Sequence, residues 1–163
     1  MRVLIIIPAY NEELNIKNTV EKIKKYQKKS KYIIDYIVIN DGSSDKTLEV
    51  CKKNNYNVVS LIRNLGIGGA VQTGYKYAYE NNYDVAIQFD GDGQHDENYI
   101  DSLVDEIVNG NDFVIGSRFV GNLSKFKSTG IRRLGIKLLS FLIWICTHKK
   151  IYDVTTGFRA CNK

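Results

Sequence analysis

A chain of 163 residues has the size of one domain and can build a full core without disulfides or a structural metal. Hydrophobic residues make up 44% and charged residues 25%, which excludes a disordered chain. The net charge of +5 suits phosphate-bearing substrates or an anionic membrane surface, although Lys22, Lys24, Lys25, Lys28, Lys29 and Lys31 gather in one stretch that reads as a solvated helix face.

In chain order, Val3–Pro8 is a short apolar run that reads as a strand. Glu12–Lys29 follows with Leu14, Ile16, Val20 and Ile23 at helical spacing, Asn11 as its N-cap and Glu12 and Glu13 in its first turn. Ile33–Ile39 is the second strand, and Asp45–Asn54 a helix capped by Ser43 or Ser44. Asn57–Ile62, Asp84–Phe89 and Phe113–Ile115 read as further strands, separated by helices over Gly69–Glu80 and Glu97–Asn109. Strands that alternate with helices and read as continuous apolar runs imply an α/β fold, with a mainly parallel sheet covered on both faces.

Beyond Ser117 the rhythm changes. Residues 117–130 carry Gly, Ser, Asn and Lys and read as a mobile loop, followed by an apolar helix over 131–147. Its apolar stretch, Leu134–Cys146, is shorter than the ~20 residues that cross a bilayer. The chain stops at Lys163 just after a motif-like stretch, so residues 1–163 read as a single domain truncated at its C-terminal side. Cys51, Cys146 and Cys161 are odd in number and form no CxxC pair, and the N-terminus lacks a signal peptide's apolar core. A cytoplasmic location is expected.

In an open parallel sheet, ligands bind beyond the carboxyl ends of the strands. The polar residues cluster there: Pro8–Glu12, Asn40–Asp45, Arg63–Gly66, Asp90–Asp96 and Gly116–Arg118. Asp90 and Asp92 flank a glycine after an apolar strand, and in extended backbone they point the same way. Two convergent carboxylates favour a bound cation, and hard oxygen ligands suit Mg²⁺ or Mn²⁺, which also bind substrate phosphates. Gln94 and His95 stand ready as a further ligand or as partners that hold the ligands in place. Asp41, at a second strand end, is placed to bind a base or ribose. Gly66-Ile67-Gly68-Gly69 completes neither a dinucleotide fingerprint nor a phosphate loop and reads as a tight strand-to-helix turn.

The stretches IIIPAYNEE, VINDGSSDKT, IQFDGDGQHD, IGSRF, GIRRLG and DVTTGFRA run from residue 5 to 160. In that order they resemble the family 2 glycosyltransferases, and most of all the dolichol-phosphate mannosyltransferase and polyprenyl-phosphate glycosyltransferase group. The resemblance implies the GT-A fold, a Rossmann-like three-layer sandwich, and an inverting transfer from a UDP- or GDP-sugar to an acceptor such as polyprenyl or dolichyl phosphate. It implies that Pro8, Ala9, Tyr10 and Glu12 line the nucleotide pocket, with Asp41 on the base or ribose and Arg63 or Asn64 closing over it. Asp90 and Asp92 would carry the donor diphosphate through the metal, with Gln94 nearby. Arg118 and Arg132 or Arg133 would bind phosphate, and Asp153, Thr156, Gly157 and Arg159 would close the acceptor side. One departure is visible: Asp96 and Glu97 stand where the family has proline, and acids there still start a helix.

A lipid phosphate brings an anionic oxygen and needs no strong base. A sugar hydroxyl, the alternative acceptor in polysaccharide or glycolipid synthesis, would need a carboxylate within reach, and Asp153 is the candidate. The apolar segment beside Arg132 suggests either peripheral membrane contact through 131–147, at the cytoplasmic face, or a helix buried in the core or packed on a further C-terminal region. A non-catalytic nucleotide-binding module is the rival reading. No nucleic-acid partner is expected, since the lysines lie away from the strand ends and no nucleic-acid motif is present.

Overall fold

The computed structural model describes residues 1–93, 95–117, 140, 141, 144, 145, 148 and 156–163. Its elements are β1 (Arg2–Ala9), α1 (Ile16–Gln27), β2 (Ile33–Asn40), α2 (Thr47–Lys53), β3 (Val58–Ser60), α3 (Gly66–Glu80), β4 (Val85–Gln88), a 3₁₀ turn (Glu97–Tyr99), α4 (Ile100–Val108), β5 (Phe113–Ile115) and β6 (Arg159–Asn162). The strands form one six-stranded sheet in the order β3-β2-β1-β4-β6-β5. β1 runs parallel to both β2 and β4, and β2 parallel to β3. The chain starts mid-sheet, steps outward to β3, then returns through α3 to the other side of β1. Strand order therefore reverses between β1 and β4, and a reversal of this kind opens a crevice at the carboxyl ends.

β1 is buried from Val3 to Ala9, which its continuous apolar run requires. Its residues alternate between two cores. Val3, Ile5 and Ile7 pack with Ile16, Val20 and Ile23 of α1 and with Leu103 and Val104 of α4. Leu4 and Ile6 pack with Ala70 and Ala78 of α3. Helices α1 and α4 thus cover one face and α3 the other, the three-layer α/β arrangement expected from the alternation.

Several boundaries differ from the sequence expectation. α1 starts at Ile16 rather than Glu12, and Asn11 is not its cap, because Asn11 adopts a left-handed backbone with φ 56°. The Glu12 carbonyl instead accepts from the Asn15 and Ile16 N–H groups. α2 starts at Thr47, and its entry is held by the Asp45 carboxylate on the Thr47 N–H at 2.9 Å rather than by Ser43 or Ser44. Gly66–Gly69 is no separate turn but the first turn of α3. β3 and β4 are shorter than their apolar runs. Asp96 does start a helical segment, accepting the Asn98 N–H at 3.0 Å ahead of the 3₁₀ turn that leads into α4.

The main addition is β6. It lies between β4 and β5 and is antiparallel to both, with Arg159 opposite Gln88 on one side and Ile115 on the other. An alternating four-residue strand carries too little periodicity to stand out in sequence. The 117–130 loop, apart from Ser117, lies outside the described residues, as does most of 131–147. Ser140, Phe141, Trp144 and Ile145 are helical, and no helix among the described residues is long and apolar enough to cross a membrane.

Ile5 is fully buried at the centre of the sheet. Ile5→Ala is expected to cost about 2–5 kcal/mol of unfolding free energy through lost burial and a residual cavity. Urea denaturation would show this as a lower midpoint at unchanged slope.

Candidate active site

At the carboxyl edge of the sheet, between β1 and β4, a cleft of about 360 Å³ opens. Pro8, Ala9, Tyr10 and Glu12 from the end of β1, Asp41 from the end of β2, and Asp90, Gly91 and Asp92 from the end of β4 line it. Asn64, Gly66, Ile67 and Ala70 close it from the α3 side. A second recess of about 460 Å³ adjoins it, lined by Gln72 and Tyr75 of α3, Gln88 and Asp90 of β4 and its end, and Thr156, Gly157 and Arg159 leading into β6. Ile67 and Asp90 belong to both, so the two form one groove across the sheet edge.

Asp41 is buried, and its main-chain N–H donates to the Ala9 carbonyl at 2.9 Å. Its Oδ1 accepts the Leu65 N–H at 2.7 Å, which draws the β3–α3 loop over the cleft. Gly42 follows with φ +64°, and a Cβ there would stand 2.6 Å from the main chain of Arg63 and Asn64. Only glycine allows that approach.

Asp90 is held from two sides. Gln88 Nε2 donates to Oδ1 at 2.9 Å, and His95 Nε2 lies 3.0 Å from Oδ2. The His95 ring is in turn packed between aromatics, stacked on Phe158 and edge-on to Phe89. Gly157 presses against the same carboxylate so closely that a Cβ there would overlap both oxygens. Burial by itself pushes the Asp90 carboxyl up. Hydrogen bonds from His95 and Gln88, with the charges of His95 and Arg159, outweigh it and hold the group below the ordinary carboxylate range. Asp92 is exposed on the wall of the first cleft. The convergence of the two acids does not come from strand alternation. β4 ends at Gln88, Gly91 and Asp92 sit in a turn, and Gly93 has φ +75°.

Of the sequence-predicted residues, Pro8, Ala9, Tyr10, Glu12, Asp41, Asn64, Asp90 and Asp92 meet in the first cleft, and Thr156, Gly157 and Arg159 in the second recess. Arg63 lines neither: it is exposed, with its main chain against Gly42. Gln94, Arg118, Arg132, Arg133 and Asp153 lie outside the described residues. Among those described, no group of three or more His, Cys, Asp or Glu side chains gathers into a ready-made metal cage.

Sequence reasoning missed the α3 contribution. Gly66, Ile67, Gln72 and Tyr75 face the groove, and the signal was the helical spacing of 68, 72 and 75 after a glycine-rich start. Burial pushes the Tyr75 phenol up to about 12, with Cys161 adding to the shift, so Tyr75 keeps its proton at neutral pH.

A carboxyl with a lowered folded pKa contributes stability that is complete above the unfolded value of about 3.9 and fades as pH falls through the folded one. The difference in unfolding free energy between wild type and Asp90→Asn should therefore narrow as pH drops below about 4. Urea melts across that range test it, and a constant difference contradicts the hydrogen-bonded, ionised Asp90.

The family described as Glycosyl transferase family 2 matches residues 4–163. The UDP-N-acetylglucosamine–dolichyl-phosphate N-acetylglucosaminyltransferase of Methanococcus voltae is 34% identical over 180 residues, covering 99% of this chain and 69% of that protein. The dolichol-phosphate mannosyltransferase of Pyrococcus furiosus is 35% identical over 170 residues, covering 100% of this chain and 47% of that protein. The chain thus spans about half to two thirds of the curated relatives it matches. Among solved structures, glucosyl-3-phosphoglycerate synthase from Mycobacterium tuberculosis in complex with Mn²⁺, uridine-diphosphate and glucosyl-3-phosphoglycerate superposes with a TM-score of 0.70 at 20% identity, covering 99% of this chain and 56% of that one. That likeness establishes the GT-A fold. With the match along nearly its whole length, the chain belongs to glycosyl transferase family 2.

Proposed function

We propose that this domain binds a UDP- or GDP-sugar in the first cleft and transfers the sugar, with inversion, to a polyprenyl phosphate whose head reaches the second recess. The observation that carries this reading is the shared position of Asp90. It ends the nucleotide cleft and begins a recess holding Arg159, so a donor diphosphate and an anionic acceptor meet at one point. The relatives named for dolichyl-phosphate chemistry support the acceptor class.

In this reading Tyr10 and Glu12 flank the base and Asp41 takes the ribose or base. The groove residues fit a divalent ion that is shared with substrate rather than caged by protein. Asp90 and Asp92 bring carboxylate oxygens to one cleft, and Mg²⁺ or Mn²⁺ ordinarily completes its shell with phosphates and water. Each Asp90 oxygen keeps a second lone pair beyond its hydrogen bond. When bound, the ion neutralises charge on the leaving diphosphate. The chain's own part is positional: Gln88, His95 and Gly157 hold Asp90 in one place, and Arg159, braced by its Nε–H on the Thr156 carbonyl at 2.8 Å, adds fixed positive charge. A phosphate acceptor arrives already anionic, so no base is needed.

Phe141, Trp144 and Ile145 are each about half exposed, with Phe141 and Trp144 stacked at 6.0 Å. These side chains support peripheral contact with the membrane that holds such an acceptor. Arg118, Arg132 and Arg133 remain proposed phosphate ligands.

Asp92→Asn should lower transfer to undecaprenyl phosphate by at least about a hundredfold while leaving the melting temperature nearly unchanged, since the side chain is exposed. The assay uses UDP-N-acetylglucosamine and GDP-mannose as donors, with Mn²⁺ or with chelator. Turnover close to wild type would remove the metal role from Asp92, and turnover unaffected by chelator would remove the metal.

A further inference from the structure

The loops after β1 and β2 carry opposite walls of the nucleotide cleft, Tyr10 and Glu12 on one and Asp41 on the other. The Asp41 N–H on the Ala9 carbonyl ties the two loops where they leave the sheet, and beyond Ala9 a further tie must hold Glu12 relative to Asp41. Asn11 lies between the two lining residues of its loop and adopts φ 56°. Left-handed backbone disfavours most side chains, and asparagine is among the few that tolerate it. The reversal turns three successive N–H groups toward the second loop. Asn11 N–H donates to Ser43 Oγ at 3.1 Å, Glu12 N–H to Thr47 Oγ1 at 2.8 Å, and Glu13 N–H to Asp45 Oδ2 at 3.1 Å. The Asn11 amide oxygen answers them. It accepts from the Ser44 N–H at 2.9 Å, the Ser44 hydroxyl at 3.2 Å and, more weakly, the Asp45 N–H at 3.4 Å.

We infer that Asn11 is the positioning residue of the nucleotide cleft. Its left-handed turn and its amide oxygen together clasp the β1–α1 loop to the β2–α2 loop and set the gap between Glu12 and Asp41. The inference rests on the reading of the cleft as a nucleotide site. Asn11 itself lines neither recess, so it acts through the residues on either side of it. The bonds that Asn11 itself makes are exposed and each is individually weak, so their loss spares the fold and loosens the alignment.

Two substitutions separate backbone from side chain. Asn11→Gly keeps the left-handed turn and deletes the acceptor, whereas Asn11→Asp tolerates the turn and keeps an acceptor oxygen. Wild type and both variants are titrated calorimetrically with UDP and with GDP in Mn²⁺, and donor KM and kcat are measured with the matching nucleotide sugar. Asn11→Gly should weaken nucleotide binding and raise donor KM about tenfold with kcat changed by less than about threefold. Asn11→Asp should restore affinity to within about twofold of wild type. If Asn11→Gly fails to fold, Ser43→Ala removes the reciprocal acceptor without touching Asn11 and should show the same KM-against-kcat split at smaller size. Wild type that binds neither nucleotide overturns the reading of the cleft and this inference with it. Wild type that binds, with Asn11→Gly unimpaired, with Asn11→Asp as weak as Asn11→Gly, or with kcat falling as far as affinity, overturns the inference alone.

Discussion

The Asp90 carboxylate must stay ionised while half-withdrawn from water, and much of the sheet edge is arranged around that demand. Burial opposes the charge, so hydrogen bonds from Gln88 and His95 have to outweigh it. His95 in turn needs a fixed ring, which Phe89 and Phe158 supply from opposite elements. Gly157 closes the remaining side at a distance that admits no side chain. A carboxylate braced on this many sides is held by its own surroundings, which is the condition for preorganised electrostatics.

The sheet topology puts that carboxylate where the two recesses meet. Strand order reverses between β1 and β4, so their ends splay and leave a crevice rather than a continuous loop layer. One side of the crevice, the first cleft, is walled by the loops after β1 and β2, which hydrogen-bond to each other through Asn11. The other side is made by α3 and by the approach to β6. The walls of the first cleft are joined by loop-to-loop hydrogen bonds, and those of the second come from a helix and the approach to a strand. The two halves can therefore vary independently in sequence while sharing Asp90.

Much of this was legible in the residues before any coordinates. The apolar runs gave five of the six strands, most clearly β1, β2 and β4, because a strand buried on both faces announces itself as an unbroken hydrophobic stretch. The first-cleft residues were legible because acids and turn formers follow those runs directly. What failed was local. Asn11, Ser43 and Ser44 resemble helix caps, but their hydrogen bonds go across to another loop, a tertiary choice that short-range pattern does not encode. Arg63 sits beside a cleft residue in sequence yet outside the cleft, because the chain bends at residues 62–63 and leaves Arg63 exposed. β6 escaped because its pairing partners lie far away in the chain and its four residues alternate too briefly to be read.

That sixth strand has a consequence for how the molecule is made. β6 is wedged between β4 and β5, yet it is synthesised after both. Until it emerges from the ribosome, the flank of β4 that it will occupy has its hydrogen-bonding groups unpaired, and a bare strand edge is a template for wrong partners. The nascent chain can complete β1, β2, β3 and their helices early, but the second recess, including Arg159 and Gly157, cannot exist before this late insertion. The walls of the first cleft should thus form before the second recess during biogenesis, and a chaperone that guards the open flank of β4 would matter most in the interval between them.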